Sequence, residues 1–208
     1  LVRELALGVE VAHSQGILHR DLKPANVLLD LSRAQNELPF VPRITDFGLA
    51  RLSEDAGPIT AEGSVIGSLP HMSPEQAAGG GKHLNAGCDI YALGVILYET
   101  LTGRVALLGT SPADLSQRIA SQLPTEPRKL RPEIPPDLQA ICLKCLEKRP
   151  QDRYLAARDL AADLARFLSG ETVIARRPSI PEQFVRWVRR HPTATTVLAA
   201  NFAALTAI

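Results

Sequence analysis

The sequence is short of several things, and each shortage removes a class of protein. Cysteine is sparse and odd in number, with Cys88, Cys142 and Cys145 only. That speaks against a disulfide framework and for a reducing compartment. Net charge is nearly absent: 23 Lys and Arg stand against 22 Asp and Glu, a formal +1, so the bulk charge gives no reason to expect nucleic-acid binding. Residue 1 is a leucine already inside a periodic segment, and no signal-peptide pattern opens the chain. Hydrophobic residues make up 45% and charged residues 22%, the balance of a globular chain and not of a disordered one. At 208 residues there is material for one sizeable core, and length allows one or two domains. Cys142 and Cys145 form a C-x-x-C pair, but they fall in an apolar helical pattern with Leu138, Ile141 and Leu146. With no second ligand pair in sight, they read as small buried hydrophobes rather than a metal or redox site.

What is present begins with helical periodicity. Leu1, Leu5, Val9 and Ala12 recur at helical spacing over residues 1–15, and Gly16 ends the segment. Ile17-Leu18 and Val27-Leu28-Leu29 read as short strands around the loop His19-Arg20-Asp21-Leu22-Lys23-Pro24-Ala25-Asn26. Residues 30–42 form a polar connection with Pro39 and Pro42, and Arg43-Ile44-Thr45 is the return strand. Residues 49–72 hold Gly57, Pro58, Gly63 and Gly67 among hydroxyl residues, a long loop of the kind that carries function. The most apolar helical pattern runs over 88–102, followed by Gly103, and three more helices are predicted near 112–122, 136–147 and 156–168.

The chemistry gathers in two loops. One carries Asp21, Lys23 and Asn26; the other carries Asp46 between Ile44-Thr45 and Gly48. A carboxylate able to accept a proton, a second carboxylate and an amide able to hold a divalent cation, and a lysine for a phosphate together fit phosphoryl transfer. There, catalysis is mostly positioning and charge neutralisation. For any single Asp on a turn, capping or solvation is the plainer reading; the grouping is what outweighs it.

These residues carry a resemblance. His19-Arg20-Asp21 through Asn26, Asp46-Phe47-Gly48, Ser73-Pro74-Glu75 in place of Ala-Pro-Glu, and Asp89-Ile90-Tyr91-Ala92-Leu93-Gly94 occur in the order seen in protein kinases. Residues 1–168 resemble the C-terminal lobe of a eukaryotic-like, bacterial-type serine/threonine protein kinase: a mainly α fold with short β-strand pairs. The resemblance implies Asp21 as the base that orients a substrate hydroxyl, Lys23 beside the migrating phosphate, and Asn26 and Asp46 as ligands of Mg2+ (or Mn2+) carried with ATP. It gives His19 and Phe47 packing roles, makes Asp89 a support of the catalytic loop, and pairs Glu75 with Arg153 as a buried ion pair. Arg20 would meet a phosphate on the loop, with Thr60, Ser64 and Ser53 as acceptors. Ser68 stands where the family has a threonine facing the catalytic Asp and Lys. His71 stands where a tyrosine is usual, and Leu69-Pro70 inverts the usual order, so a differently shaped substrate pocket is expected. The chain holds no Gly-x-Gly-x-x-Gly and no Val-Ala-x-Lys, since its lysines are Lys23, Lys82, Lys129, Lys144 and Lys148. It is therefore expected to be a lobe without its N-terminal partner, inactive by itself. A pseudokinase or docking module that binds without transfer is the alternative from another class, disfavoured by the intact Asp21, Lys23, Asn26 and Asp46. A small-molecule phosphotransferase of the aminoglycoside type would lack the Ser73-Pro74-Glu75 and Arg153 features.

The tail changes character. Over 169–192 arginine dominates, with Arg176, Arg177, Arg186, Arg189 and Arg190 against Glu171 and Glu182, and Trp187 beside them. Residues 193–208 carry no charge. Basic residues and an indole before an apolar run mark the cytoplasmic side of a membrane anchor. As a helix this run spans about 24 Å against about 30 Å of hydrocarbon. The expectation is a basic juxtamembrane linker leading into the start of a transmembrane helix, with the kinase lobe cytoplasmic and anchored in the plasma membrane. Protein substrates and ATP are the expected partners, with no nucleic acid.

Overall fold

The computed structural model describes residues 1–33, 39–47, 68–79 and 84–176. Within them the chain is mostly helical, around one central helix, α3 (Gly87–Thr102). Its sequence is apolar on every side, so no face can be left to water, and nearly every residue from Gly87 to Tyr98 is buried. Gly103 closes it in the left-handed conformation (φ 70°), its N–H reaching the Glu99 carbonyl at 2.8 Å.

Two helices pack directly on α3, and a third closes the core by packing on those two. The first, α1 (Val2–Ser14), buries the stripe Val2, Leu5, Ala6 and Val9 and ends at Gly16, whose φ is 72°. The others are α6 (Pro136–Cys145) and α7 (Ala157–Leu168), the latter burying Ala157, Leu160, Ala161 and Leu164. Each buried Leu or Ile contributes about 1.5–3 kcal/mol, so this shared core is the main source of stability. Gly94 sets the approach of α6: a Cβ there would lie 2.5 Å from the Cβ of Cys145. Cys142 and Cys145 are fully buried free thiols in that contact, the small hydrophobes their pattern predicts, and burial pushes both thiols far above the ordinary value.

Shorter helices complete the lobe: α2 (Pro74–Ala77), α4 (Pro112–Ser121) and α5 (Pro127–Leu130). Ser111 caps α4 by accepting from the Asp114 N–H at 3.1 Å. Leu115 and Ile119 of α4 join Leu69 and Leu107 in a second, smaller cluster.

The sheet has two antiparallel strands, β1 (Val27–Asp30) and β2 (Val41–Ile44), in the register Val27↔Ile44 to Asp30↔Val41. The strand expected at Ile17-Leu18 does not form. The backbone there turns to other partners: Ile17 N–H returns to the Ala12 carbonyl at 3.0 Å, and just past Leu18 the amides of His19 and Arg20 go to Asp89. Among the described residues, one strand pair stands where two were expected. Beyond α7, residues 171–176 fold back on the lobe, with Val173 buried. Among the described residues, no helix is long and apolar enough to cross a membrane, and residues 193–208 lie outside that set.

Candidate active site

The loop between α1 and β1 has few backbone partners of its own, so its shape is imposed by side chains. Asp89, in the first turn of α3, is fully buried and accepts from two consecutive amides, His19 N at 2.9 Å and Arg20 N at 2.8 Å. His13, in the last turn of α1, completes the set with Nε2 2.7 Å from Asp89 Oδ2. Burial pushes this carboxyl up, but the bonds from His13, His19 and Arg20 outweigh it and hold it below the ordinary carboxylate value. His19 is itself buried: Nε2 meets the Thr45 carbonyl at 2.8 Å, and its ring lies 4.7 Å from that of Phe47. The imidazole thereby ties the loop to the chain after β2.

Arg20 and Asp46 are the non-glycine residues with positive φ among those described, at 67° and 62°. Each costs about 1–2 kcal/mol relative to ordinary backbone. Both lie at this site. At Arg20 the strain is borne by hydrogen bonds that hold the peptide at its N–H and its carbonyl.

Asp21 follows the strained Arg20 and is half-buried. Lys23 Nζ donates to Asp21 Oδ2 at 2.8 Å and to Ser68 Oγ at 2.6 Å. Asn26 is buried in a short 3-10 turn, and its Nδ2 donates to the Asp21 carbonyl at 2.8 Å. With that nitrogen committed, the side-chain oxygen is the atom left for a cation. The β ladder continues one pair past the strands, Thr45 N–H reaching the Asn26 carbonyl at 3.0 Å, and Asp46 comes next, exposed. An amide oxygen and a carboxylate are hard donors of the kind Mg2+ takes, with Mn2+ compatible with the same set. Asp21, Lys23, Asn26 and Ser68 are thus drawn together, with Asp46 next to Asn26's partner. Gly48, Ser53, Thr60 and Ser64 lie outside the described residues.

A second constellation lies below the site. The Arg153 side chain is fully buried, and all its N–H directions are used. It forms a fork on Glu75 (2.7 and 2.9 Å), and it reaches the carbonyls of Gly87 at 2.8 Å, Lys148 at 3.0 Å and Glu147 at 2.7 Å. Burial pushes the Glu75 carboxyl up, and the Arg153 bonds more than reverse it, holding it below the ordinary value. This pair fixes α2 to the base of α3.

Sequence reasoning passed over several residues. His13 had a signal, lying four residues beyond Val9 on the buried stripe of α1. Glu99 lies 2.9 Å from His71 Nε2, but off the hydrogen-bonding direction, and burial keeps the His71 imidazole below its ordinary value despite that carboxylate. Gln76 carried the local signature of a capping box, Ser73-x-x-Gln76, but nothing local pointed to the loop; its Nε2 donates to the Arg20 carbonyl across 56 residues of sequence.

Comparison with known proteins agrees with this geometry. The protein kinase domain family matches residues 1–163. The serine/threonine-protein kinase PknB of Mycobacterium leprae is 36% identical over 171 residues, covering 82% of this chain and 26% of that protein. A probable serine/threonine-protein kinase of Streptomyces coelicolor is 37% identical over 175 residues, covering 82% of this chain and 25% of that protein. One from Clostridium perfringens is 34% identical over 185 residues, with 88% and 26% covered. The chain spans about a quarter of the length of the curated relatives it matches. On its matched residues and on these relatives, the chain belongs to the protein kinase domain family.

Proposed function

We propose that the chain is the catalytic-loop lobe of a serine/threonine protein kinase that transfers the γ-phosphate of ATP to protein hydroxyls. The observation that carries this reading is the contact chain Asn26–Asp21–Lys23–Ser68. Asp21 accepts the hydroxyl proton as the substrate oxygen bonds to the γ-phosphorus and the bond from that phosphorus to the ADP oxygen breaks. Lys23, held 2.8 Å from Asp21, offsets charge on the group in transfer. Ser68 keeps Lys23 in place by accepting its hydrogen bond at 2.6 Å. Asn26 and Asp46 would hold Mg2+, which supplies charge neutralisation at the phosphates when bound. Arg20 beside Asp21 supports control by phosphorylation at Thr60, Ser64 or Ser53.

In the full-length protein, Asp21→Asn should lower transfer to a Ser/Thr peptide by about 10³-fold while leaving ATP affinity within about threefold. Transfer at the wild-type rate would remove Asp21 from its role. ATP binding without transfer in the wild type would favour a docking module instead.

The basic residues Arg186, Arg189 and Arg190 before the uncharged run 193–208 support a membrane anchor with the lobe on the cytoplasmic side. Recovery of the full-length protein in the detergent-free soluble fraction would overturn it.

A further inference from the structure

Gln76 stands in α2, directly after the Glu75 that pairs with Arg153. Its amide is oriented without ambiguity. Oε1 accepts from the Ser73 N–H at 3.0 Å and from Ser73 Oγ at 3.1 Å, and a backbone N–H can only donate. The nitrogen must then be the other atom, and it faces the Arg20 carbonyl at 2.6 Å, which can only accept. Ser73, wholly buried, also accepts from the Gln76 N–H at 3.4 Å, so the two residues form a reciprocal capping box.

The peptide being held is the strained one. Arg20 has φ 67°; its N–H is fixed by Asp89 of α3 and its C=O by Gln76 of α2. The segment 68–79 grips the loop at a second point, where Ser68 meets Lys23. Residues 20 and 23 flank Asp21, so one short segment holds the loop on both sides of that carboxylate.

We propose that Gln76 is a positioning residue: its amide, oriented by Ser73, locks the left-handed Arg20 and thereby aligns Asp21, so that seating of residues 68–79 and readiness of the loop are one event. The kinetic arm of its test rests on the kinase reading; the exchange arm does not.

The experiment uses full-length protein carrying Gln76→Glu. The new carboxylate still accepts from Ser73 but turns an acceptor toward the Arg20 carbonyl. Peptide-resolved hydrogen–deuterium exchange should speed up over residues 17–26 and stay unchanged in α3. The kcat for a Ser/Thr peptide should fall by about tenfold or more, with KM for ATP within about twofold. Gln76→Met, which keeps the bulk and removes both polar atoms, should act in the same direction and decides the matter if the Glu variant fails to fold. Unchanged exchange at 17–26 in a folded variant overturns the proposal. Exchange that rises equally throughout the lobe overturns it too, because Gln76 would then act on global stability alone. A wild-type protein without transfer would sink the kinase reading and leave the exchange result to decide the clamp.

Discussion

Two buried aspartates in this lobe are built alike and serve different ends. Asp89 accepts from the consecutive amides of His19 and Arg20 and from the ring of His13. Asp163, equally buried in α7, accepts from the consecutive amides of Ile174 and Ala175, at 2.6 and 2.9 Å, and from the Tyr154 hydroxyl at 2.7 Å. Each satisfies a charged group with two backbone donors and one aromatic donor, which is what a carboxylate needs away from water. The difference lies in reach. Asp89 closes loops of 69 and 70 residues and shapes an irregular loop at the candidate active site. Asp163 closes loops of 11 and 12 residues and pins a strap, Val173 beneath it and Arg176 tied to Asp137 at 3.0 Å. One carboxylate joins distant parts of the chain where geometry matters for chemistry; the other secures a neighbour.

The sharpest break of that comparison is the paired substitution. Asp89→Asn places an NH2 against backbone donors at a site that organises the loop. It should cost about 3 kcal/mol and take transfer with it by at least about 100-fold, read by denaturant titration and peptide kinetics. Asp163→Asn should cost about 2 kcal/mol, expose residues 171–176 to exchange, and leave kcat within about threefold. Equal kinetic damage from both would mean that the strap, too, shapes the site. Tyr154→Phe removes one donor from Asp163 and should cost about 1 kcal/mol in the same titration.

The smallest expected effect is in pH. Asp89 has a folded pKa below its ordinary 3.8, so its contribution is full above that value and is lost as pH falls through the lower folded value. His71 is the opposite kind of group. Its folded pKa lies below the ordinary 6.5, so the unfolded chain takes up the proton first and stability starts to fall as pH drops below about 6.5. Thermal melts against pH should therefore show a shallow upper step and a deeper lower one. His71→Tyr should remove the upper step, and Asp89→Asn should shrink the lower one. A flat profile between pH 7 and 5 would contradict the assignment for His71.

Much of this was legible in the sequence, and particular residues say why. The helices announced themselves where apolar spacing was regular, as in α1 and α3, and where Gly16 and Gly103 supplied left-handed stops. The site's residues were legible because their motifs are short and local. The strand at Ile17-Leu18 was misread because hydrophobicity suggests extension but says nothing about where the amides bond. The reach of Gln76 to the loop was invisible because its partner there lies 56 residues away and is a backbone atom with no sequence identity of its own. Asp163 left a trace: it falls three residues after Leu160, on the face that α7 buries, where a carboxylate requires donors.

The strap bears on where this polypeptide can be cut. A chain shortened at Leu168 would keep every helix described above, yet it would strip Asp163 of two amides, uncover the side of the lobe against which Val173 lies, and leave Asp137 without Arg176. Such a product would carry every residue of the candidate site and still tend to aggregate or be degraded. For anyone expressing the lobe in isolation, the cut must not fall before Arg176.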